Sequence, residues 1–219
     1  MEVEQYRIEL DEEVRRKFDV PLRSVKLKGI DMSAIRADDS FREAVYAELR
    51  KRYTLDSVKD DPIFRAYRDF YWRIGIDPTK VRPSSEALVR RILQGKGLPS
   101  INPLVDIFNL VSALTGITFS AFDLDRIVGN VRMTWSRAGE RFVGIGTGEM
   151  ELTGRELVLR DDSGPISIYP YRDSERTKTS LETRNVLLVL CGVPGVPFHR
   201  LLETERMMLE RIGASTSLG

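Results

Sequence analysis

Apolar residues follow the 3.6-residue period of a helix in six segments of the chain, and several of these segments begin or end at residues typical of helix termini. Asp61-Pro62 places a capping side chain before a proline at the first helical position, and Gly75 ends that segment. Asn102-Pro103 begins another segment, and Ser84 or Ser85 is expected to cap the one before it. Asp11 is expected to cap the first segment. The pattern predicts helices over residues 12–18, 40–53, 62–75, 84–93, 102–115 and 198–212.

Shorter stretches alternate apolar and polar residues or are rich in β-branched residues, which is typical of strands. The segment 161–164, DDSG, has the composition of a hairpin turn, and GIGTGE at 144–149 is expected to be a tight turn between strands. Because most strands follow the run of helices, we expect an α+β fold in a single domain. The predicted strands cover 3–10, 25–30, 128–135, 141–145, 156–160, 166–171 and 186–191, and the last seven residues, GASTSLG, are expected to fray.

The predicted helix 102–115 has a polar face that differs from an ordinary solvent-exposed face. Its apolar residues fill one broad arc, while the opposite stripe contains Asn102, Asp106, Asn109 and Ala113. No Lys, Arg or Glu occurs from 102 to 116, although exposed helix faces are normally rich in them. Short hydrogen-bonding side chains on a rigid element suit the floor of a pocket. The alternative is that they cap the helix or satisfy neighbouring loops.

Charge is abundant but balanced, since 34 Lys and Arg residues and 33 Asp and Glu residues give a formal net charge of +1 at pH 7. No global field attracts nucleic acid or a membrane surface, so an RNA contact requires a local basic patch. The segment 65–96 is a candidate, with Arg65, Arg68, Arg90 and Arg91 expected to contact phosphates. The alternative is an ordinary amphipathic helix whose interleaved aromatic residues belong to the core.

Histidine and cysteine provide little chemistry. The single histidine, His199, is remote in sequence from any Cys or carboxylate cluster, which argues against a His-based metal site and against a Ser-His-Asp triad. The single cysteine, Cys191, has no partner for an intramolecular disulfide. We expect no metal and no cofactor. No stretch approaches 18 apolar residues and the N-terminus has no apolar signal region, so we expect a cytoplasmic protein without a membrane partner.

Hydroxyl groups and cations are concentrated between the last two predicted strands, in YRDSERTKTSLETRN at 171–185. Arginine pairs bidentately with anions and hydroxyls both donate and accept, so this segment suits a carboxylate, a phosphate or a 3′-terminal ribose. A solvated loop has a similar composition. The flanking apolar strands favour a binding role, because they hold the segment in a fixed place; its candidates are Arg172, Asp173 and Thr179.

Several segments together show a family resemblance: RPSSEALVRRIL, INPLVDIFNLVSALTG, FSAFDLDRIVGNVRM, AGERF, ELVLRDDSGP and TSLETRNVLLVL. In their order and spacing the chain resembles the B3/B4 tRNA-editing domain of the phenylalanyl-tRNA synthetase beta subunit. The resemblance implies an α+β fold in which helices pack on a mainly antiparallel sheet, with a pocket at their junction. It makes 64–191 an editing-like tRNA-binding core, 1–60 an N-terminal extension or extra layer, and 197–212 a C-terminal helix.

In the synthetases this domain hydrolyses tyrosine wrongly attached to the phenylalanine tRNA, and this chain resembles free-standing versions that lack the aminoacylation core. Asn109 matches the pocket asparagine, but the preceding threonine position holds Phe108. Ser120 stands where the synthetases have a histidine, and no acid is present near Val189 or Leu190, where the glutamate that selects the tyrosine hydroxyl is expected. The tyrosine-specific site is therefore not intact, so either the aminoacyl group differs or catalysis has been lost.

Two functions follow as hypotheses. The first is a tRNA-binding module that deacylates mischarged aminoacyl-tRNA in trans, using a positioned water and the substrate's ribose hydroxyl, with its catalytic residue unassigned. The second is a non-catalytic module for a free amino acid, another small ligand or a partner protein, which the near-neutral charge favours; DNA is not an expected partner. The predicted pocket has Asn102, Asp106, Asn109 and Ser120 on its floor, Arg82, Ser84 and Glu86 at its rim, and Arg172, Asp173 and Thr179 on the strand side, while Asp123 is expected to cap a helix or turn.

Overall fold

Six helices form in the part of the chain that the computed structural model describes, residues 1–35 and 38–213. Each lies within one or two residues of a predicted helix, because the apolar period that predicts a helix also determines which face is buried. Six of the seven residues predicted to fray, 214–219, lie outside the described residues. The helices are α1 (Glu12–Lys17), α2 (Asp39–Arg52), α3 (Pro62–Arg73), α4 (Ser84–Leu93), α5 (Pro103–Thr115) and α6 (Phe198–Arg211).

The termini of these helices agree with the predicted caps in two cases and differ in two. The Asp61 side chain accepts a hydrogen bond from the backbone N–H of Ile63, and the Asn102 side chain accepts one from Val105. The predicted serine cap of α4 is wrong, because Pro83 occupies the N-cap position and the helix begins without a side-chain cap. Asp11 stands at the N-cap position of α1, but its side chain makes no capping hydrogen bond.

Eleven strands accompany the helices. The single strand predicted over 3–10 is wrong, because this segment forms two strands that belong to different sheets. The strands at 119–123, 149–153 and 172–173 were not predicted as such; EMELT at 149–153 does alternate polar and apolar residues, whereas 119–123 and 172–173 show no clear alternation. The strands are β1 (Glu2–Gln5), β2 (Glu9–Leu10), β3 (Leu22–Lys28), β4 (Phe119–Asp123), β5 (Arg132–Trp135), β6 (Ala138–Val143), β7 (Glu149–Thr153), β8 (Leu157–Asp161), β9 (Gly164–Ile168), β10 (Arg172–Asp173) and β11 (Asn185–Cys191).

The strands form two larger sheets and one hairpin. A four-stranded sheet has the order β1-β3-β11-β4 and is antiparallel throughout. A five-stranded sheet has the order β10-β9-β8-β5-β2, in which only β2 and β5 run parallel. The β6-β7 hairpin stands apart, and the predicted turn at 161–164 joins β8 to β9. The α+β class with a mainly antiparallel arrangement is thus confirmed.

The four-stranded sheet and the helices share one apolar core. Its central strand β11 is buried from Val186 to Cys191, as a strand covered on both faces must be. The N-terminal segment supplies β3, which lies between β1 and β11, and most buried apolar residues from Ile8 to Ile212 belong to one cluster. A second, smaller cluster contains Phe142, Leu152, Val158 and Ile168. α5 packs against α2, α4, α6 and β4, so the helix with the polar stripe lies between the helical layer and the sheet. The division of the chain at 1–60, 64–191 and 197–212 stays a prediction.

Glu86 is fully buried and joins α3 to α4. Its carboxylate accepts a hydrogen bond from Arg68 Nη1 at 3.0 Å and one from Arg90 Nε at 2.7 Å. The predicted place of Glu86 at the rim of a pocket is therefore corrected. Its side chain leaves α4 on the face turned toward α3, where two arginines balance its charge, and this ion triad is part of the scaffold.

We predict that Glu86→Ala lowers the free energy of unfolding by about 3 kcal/mol, because it leaves two largely buried guanidinium groups without a carboxylate. Urea denaturation monitored by circular dichroism measures the change. The matched control is Glu203→Ala, which removes a helical glutamate that pairs with Arg200 on the surface and is expected to change stability little. Equal losses in the two variants would contradict a scaffold role for the Glu86 triad.

Candidate functional site

A cavity of about 420 Å³ lies where α4 and α5 meet β4 and the segment 170–179. Two of its walls are aromatic: the rings of Phe108 and Phe119 stack with their centroids 5.8 Å apart. Leu88, Val105 and Ile145 extend the apolar lining. A pocket of this size, largely apolar with a few polar groups, is typical of small-molecule sites in proteins.

The polar groups on the strand side centre on a hydrogen bond between two sheets. Ser120 Oγ, on β4 of the four-stranded sheet, donates to Asp173 Oδ1, on β10 of the five-stranded sheet, at 2.8 Å. Both residues line the cavity. Burial raises the pKa of Asp173 to about 6, although the hydrogen bond from Ser120 acts in the opposite direction. The carboxyl group is therefore ionised at neutral pH but takes up a proton easily.

Cys191 lies behind Ser120, with its Sγ atom 3.6 Å from Ser120 Oγ. The side chain is fully buried, and burial raises the pKa of the thiol well above its usual value. A thiol that stays protonated is a poor nucleophile. Cys191 thus supports the floor beneath Ser120 and does not itself offer reactive sulfur to the cavity.

Asp173 is held in place by the turn that joins β6 to β7. The backbone N–H of Ile145 donates to the carbonyl oxygen of Asp173 at 2.9 Å, and Gly144 bridges to Ser174. A Cβ atom on Gly144 would lie 2.4 Å from Cδ of Arg172, so only glycine permits this close approach. The predicted tight turn at 144–149 is confirmed, and its additional role is to bring Ile145 into the cavity wall.

On the helical side the two asparagines of the α5 stripe have different surroundings. Asn102 caps α5 through its oxygen and donates through Nδ2 to Thr179 Oγ1 at 3.2 Å, which links the helix to the loop after β10. Asn109 also lines the cavity, and among the described residues no group forms a hydrogen bond with its amide. The Asn109 amide is therefore a group on α5 that is available to a bound molecule.

Seven of the ten residues predicted for the pocket line this one cavity, although they come from four separate parts of the chain. These seven residues come together because α4, α5, β4 and the segment around β10 meet at the cavity. They are Ser84, Asn102, Asn109, Ser120, Arg172, Asp173 and Thr179.

The other three predicted pocket residues lie elsewhere, and their placement is corrected. Asp106 accepts hydrogen bonds from Ser100 Oγ at 2.5 Å and from the backbone N–H of Ile101 at 2.8 Å, so it holds the loop that leads into α5. Glu86 is buried with its two arginines. Arg82 lines a different hollow on the outer side of α4.

The four arginines predicted to contact phosphates do not surround the mouth of the cavity. Arg68 and Arg90 are both paired with the carboxylate of Glu86, which offsets one of their two positive charges. Arg65 is exposed and lies 3.6 Å from Asp60, and Arg91 donates through Nε to the carbonyl oxygen of Gly97 at 2.7 Å. Their role in binding RNA stays a prediction, with Arg90 and Arg91 best placed because they share a hollow with Arg82.

Sequence reasoning missed several lining residues. Lys178 lines the cavity and forms an ion pair with Glu175, and the Arg172 guanidinium lies 4.9 Å from the centre of the Tyr171 ring. Lys178 lies in the polar segment 171–185, but nothing in its pattern separates it from the other cations there. Ile145 is contributed by a turn that contacts β10 only in the folded chain, so no local signal could have found it.

Asp123 has the structural role predicted for it. Its side chain accepts from the backbone N–H of Asp125 and from Thr183 Oγ1 at 2.8 Å, and it caps the single turn of 3₁₀ helix at 124–126. In residues 1–35 and 38–213, no cluster of three or more His, Cys, Asp or Glu side chains is arranged to hold a metal ion. Within the same ranges no helix is long and apolar enough to cross a membrane.

Comparison with known proteins relates the chain to one family. Residues 66–200 match the family model of the B3/4 domain. The phenylalanine–tRNA ligase beta subunit of Leifsonia xyli is 30% identical over 141 residues, which cover 64% of this chain and 16% of that protein. The same subunit of Geobacter metallireducens is 35% identical over 109 residues, which cover 49% of this chain and 14% of that protein. The chain thus spans only a small part of the length of these relatives.

A solved structure shows the same fold. The crystal structure of an N-terminal fragment of the phenylalanyl-tRNA synthetase beta-subunit from Pyrococcus horikoshii matches 96% of this chain and 52% of the fragment, with a TM-score of 0.51 and 13% identity. The family match at 66–200 includes every residue that lines the cavity. Since that match covers more than half of the chain, this protein belongs to the B3/4 domain family of tRNA-synthetase-related domains.

Proposed function

We propose that this chain binds the 3′ end of an aminoacyl-tRNA and hydrolyses the ester of a mischarged amino acid in trans. The observation that supports the proposal is the Ser120–Asp173 pair, which places a readily protonated carboxylate in the cavity of a B3/4 domain. The cavity of about 420 Å³ has room for the aminoacyl group.

In this proposal Asp173 is the general base. Its carboxylate takes a proton from a water molecule whose oxygen attacks the carbonyl carbon of the ester. When the tetrahedral intermediate collapses, the bond from the carbonyl carbon to the 3′ oxygen breaks, and the Asp173 carboxyl returns the proton to that oxygen, which leaves as the ribose hydroxyl. A base with a pKa of about 6 is ionised at neutral pH and is stronger than an ordinary aspartate. Ser120 is a positioning residue, because its hydroxyl donates to Oδ1 of the Asp173 carboxylate.

Ester hydrolysis also needs a group that stabilises the oxyanion, and we assign this role to Asn109. As the carbonyl oxygen becomes an oxyanion, a donor that is already in position stabilises the developing charge. The Asn109 amide lines the same cavity as Asp173 and is not engaged by any described residue. Its NH₂ group is therefore the proposed oxyanion donor.

The walls indicate which aminoacyl group the cavity accepts. Phe108, at the position where the synthetases have a threonine, stacks on Phe119, and the two rings make an apolar wall. Val189 and Leu190 are buried in β11 outside the cavity lining, so no acid stands at the position of the synthetase glutamate. We therefore propose an apolar or small side chain as the preferred acyl group, and not tyrosine.

A second candidate function is a non-catalytic module for a free amino acid. It is favoured by the engagement of Arg68 and Arg90 with Glu86, which removes two of the expected phosphate contacts. The two functions differ in one property: only the first requires release of amino acid from tRNA.

We predict that the purified protein releases one class of amino acid from a panel of charged tRNAs, and that Asp173→Asn reduces the rate about 10²- to 10⁴-fold. The rate above the spontaneous background is expected to fall tenfold per pH unit below the pKa of Asp173, about 6, and to level off above pH 7. Release of radiolabelled amino acid measures both. If no charged tRNA is hydrolysed, or if Asp173→Asn retains full activity, the proposed reaction is wrong.

We predict that Asn109→Ala lowers the rate of hydrolysis about 10²-fold while the midpoint of thermal unfolding stays nearly unchanged, because the amide makes no hydrogen bond with a described residue. Asp106→Ala is the control on the same helix: its carboxylate holds Ser100 and Ile101, so stability falls and hydrolysis by the folded fraction is retained. A large loss of stability in Asn109→Ala would assign this residue to the scaffold.

We predict that Asp173→Asn stabilises the fold by about 1 kcal/mol at pH 7.5. This is less than the free energy that corresponds to the full pKa shift, because the side chain is only partly buried and solvent screens its charge. The pKa of Asp173 rises on folding from 3.8 to about 6, so the contribution of this group to stability is greatest below pH 4, declines between pH 4 and 6 and is constant above. Urea denaturation across this range should show the two proteins converging at low pH.

The control for this effect is Asp77→Asn. Hydrogen bonds from Thr79 lower the pKa of Asp77, so its contribution is present at neutral pH and is lost on acidification, and the variant is expected to be less stable than the wild type at pH 7.5. If Asp173→Asn instead destabilises the protein at pH 7.5, then Asp173 is a structural partner of Ser120 and its proposed role as a poised base is wrong.

A further inference from the structure

A second hollow, of about 420 Å³, lies on the outer side of α4, and we refer to it as the α4 basic hollow. It contains four cationic side chains and no carboxylate. Its only apolar side chain is that of Ala87, so it lacks the apolar centre of a typical protein–protein interface. The lining residues are Arg82, Ala87, Arg90, Arg91, Gln94 and Lys96.

Three of the four cations are uncompensated within the described residues. Arg90 pairs with Glu86, whereas Arg82, Arg91 and Lys96 are exposed and form no ion pair with a described carboxylate. Uncompensated charges on a surface concentrate anions in proportion to their local density, even when the chain as a whole carries a net charge near zero.

Backbone contacts hold two of these side chains. Arg91 Nε donates to the carbonyl oxygen of Gly97 at 2.7 Å, and Arg90 Nη1 donates to that of Leu55 at 2.8 Å. Each bond fixes one edge of a guanidinium group. The terminal nitrogens of Arg91 remain free, and an arginine fixed in this way is suited to bidentate contact with phosphate oxygens.

The chain after α4 brings Lys96 back beside the helix. Gly95 and Gly97 have φ values of +74° and +63°, and the N–H of Lys96 donates to the carbonyl oxygen of Arg91 at 3.1 Å. This C-terminal motif reverses the chain immediately after the helix. Lys96 therefore lies next to Arg91, and the two charges face the same hollow.

The α4 basic hollow and the substrate cavity lie along one helix. Ser84 and Leu88 line the cavity, and Arg91 completes an i, i+4, i+7 series with them, so it lies where the cavity side of α4 adjoins the outer side that carries Ala87 and Arg90. Seven residues of α-helix span roughly 10 Å, which corresponds to about three stacked nucleotides at 3.4 Å each. A strand whose last nucleotide enters the cavity thus reaches the hollow within a few nucleotides.

We propose that the α4 basic hollow binds backbone phosphates of the acceptor strand of tRNA, next to the 3′ end held in the cavity. The identity of this ligand rests on the proposed function. The chemistry that recognises it is a fixed Arg91 guanidinium with Arg82 and Lys96 beside it. The hollow contacts phosphates and not bases, so it contributes affinity for any tRNA. The cavity, in contrast, selects among aminoacyl groups.

The test uses the double variant Arg82→Gln/Lys96→Gln, which removes two charges without touching the bonds of Arg90 and Arg91. The control Arg137→Gln/Arg155→Gln removes two exposed arginines that line other hollows. Fluorescence anisotropy with a fluorescein-labelled, uncharged tRNA transcript gives the Kd at several salt concentrations. We expect the first variant to raise Kd about tenfold and to reduce the slope of log K against log salt by 1 to 2, and the control to change neither.

Each other outcome overturns the proposal. Equal losses in the two double variants would indicate a general effect of charge, and unchanged binding in the first variant would show that the hollow is not used. If the wild type does not bind tRNA, the hollow is not a phosphate site. If polyglutamate displaces tRNA as readily as unlabelled tRNA does, a phosphate site is also excluded, and an acidic protein is favoured as the partner.

The same variants separate this inference from the proposed function. Hollow-dependent binding of tRNA without hydrolysis of any charged tRNA would support the phosphate site and contradict the proposed reaction. Hydrolysis with an unchanged KM for charged tRNA in Arg82→Gln/Lys96→Gln would support the reaction and overturn the phosphate site.

Discussion

The hydroxyl group of Tyr67 joins the helical layer to the sheet at the point from which the cavity is built. It donates to the carbonyl oxygen of Cys191 at 2.7 Å and accepts from the backbone N–H of Thr118 at 3.0 Å. The side chain is completely buried, and burial raises its pKa, so it remains protonated and keeps both bonds. Because one atom of α3 fixes the end of β11 and the entry to β4, Ser120, two residues after Thr118, has a defined position relative to the helices.

The two sides of the cavity differ in how they are held. The floor belongs to α5 and to β4, whose positions follow from helix packing and from the pairing of β4 with β11. The opposite wall rests on β10, a strand of two residues, and on the turn whose Ile145 donates to Asp173. A site built in this way has rigid groups, Asn109 and Ser120, facing a wall of lower intrinsic stability, which is where a bound molecule can be admitted.

The sequence was sufficient for the helices, because their period is a local property, and it named seven of the nineteen residues that line the cavity. The stripe on α5 correctly brought Asn102 and Asn109 to the cavity, yet Asp106 on the same stripe turns to the loop before the helix. A polar residue on a helix face has the same pattern whether it meets solvent, a loop or a ligand. The sequence assigned both Ser120 and Asp173 to the pocket, but the pair spans 53 positions and two sheets, so only the folded chain reveals the hydrogen bond between them.

The net charge of this protein is another property of the sequence that does not show how side chains are arranged in the fold. A net charge of +1 argues against a nucleic-acid partner only if the charges are evenly mixed. Folding separates them: Glu86 draws Arg68 and Arg90 toward the interior, and the adjacent face of α4 keeps Arg82, Arg91 and Lys96 without a described carboxylate beside them. The buried acid that seemed to belong to the pocket thus helps to orient the helix that carries both the cavity rim and its cationic flank. Near-neutral composition is therefore compatible with a local phosphate site, and the argument against RNA drawn from the net charge loses its force.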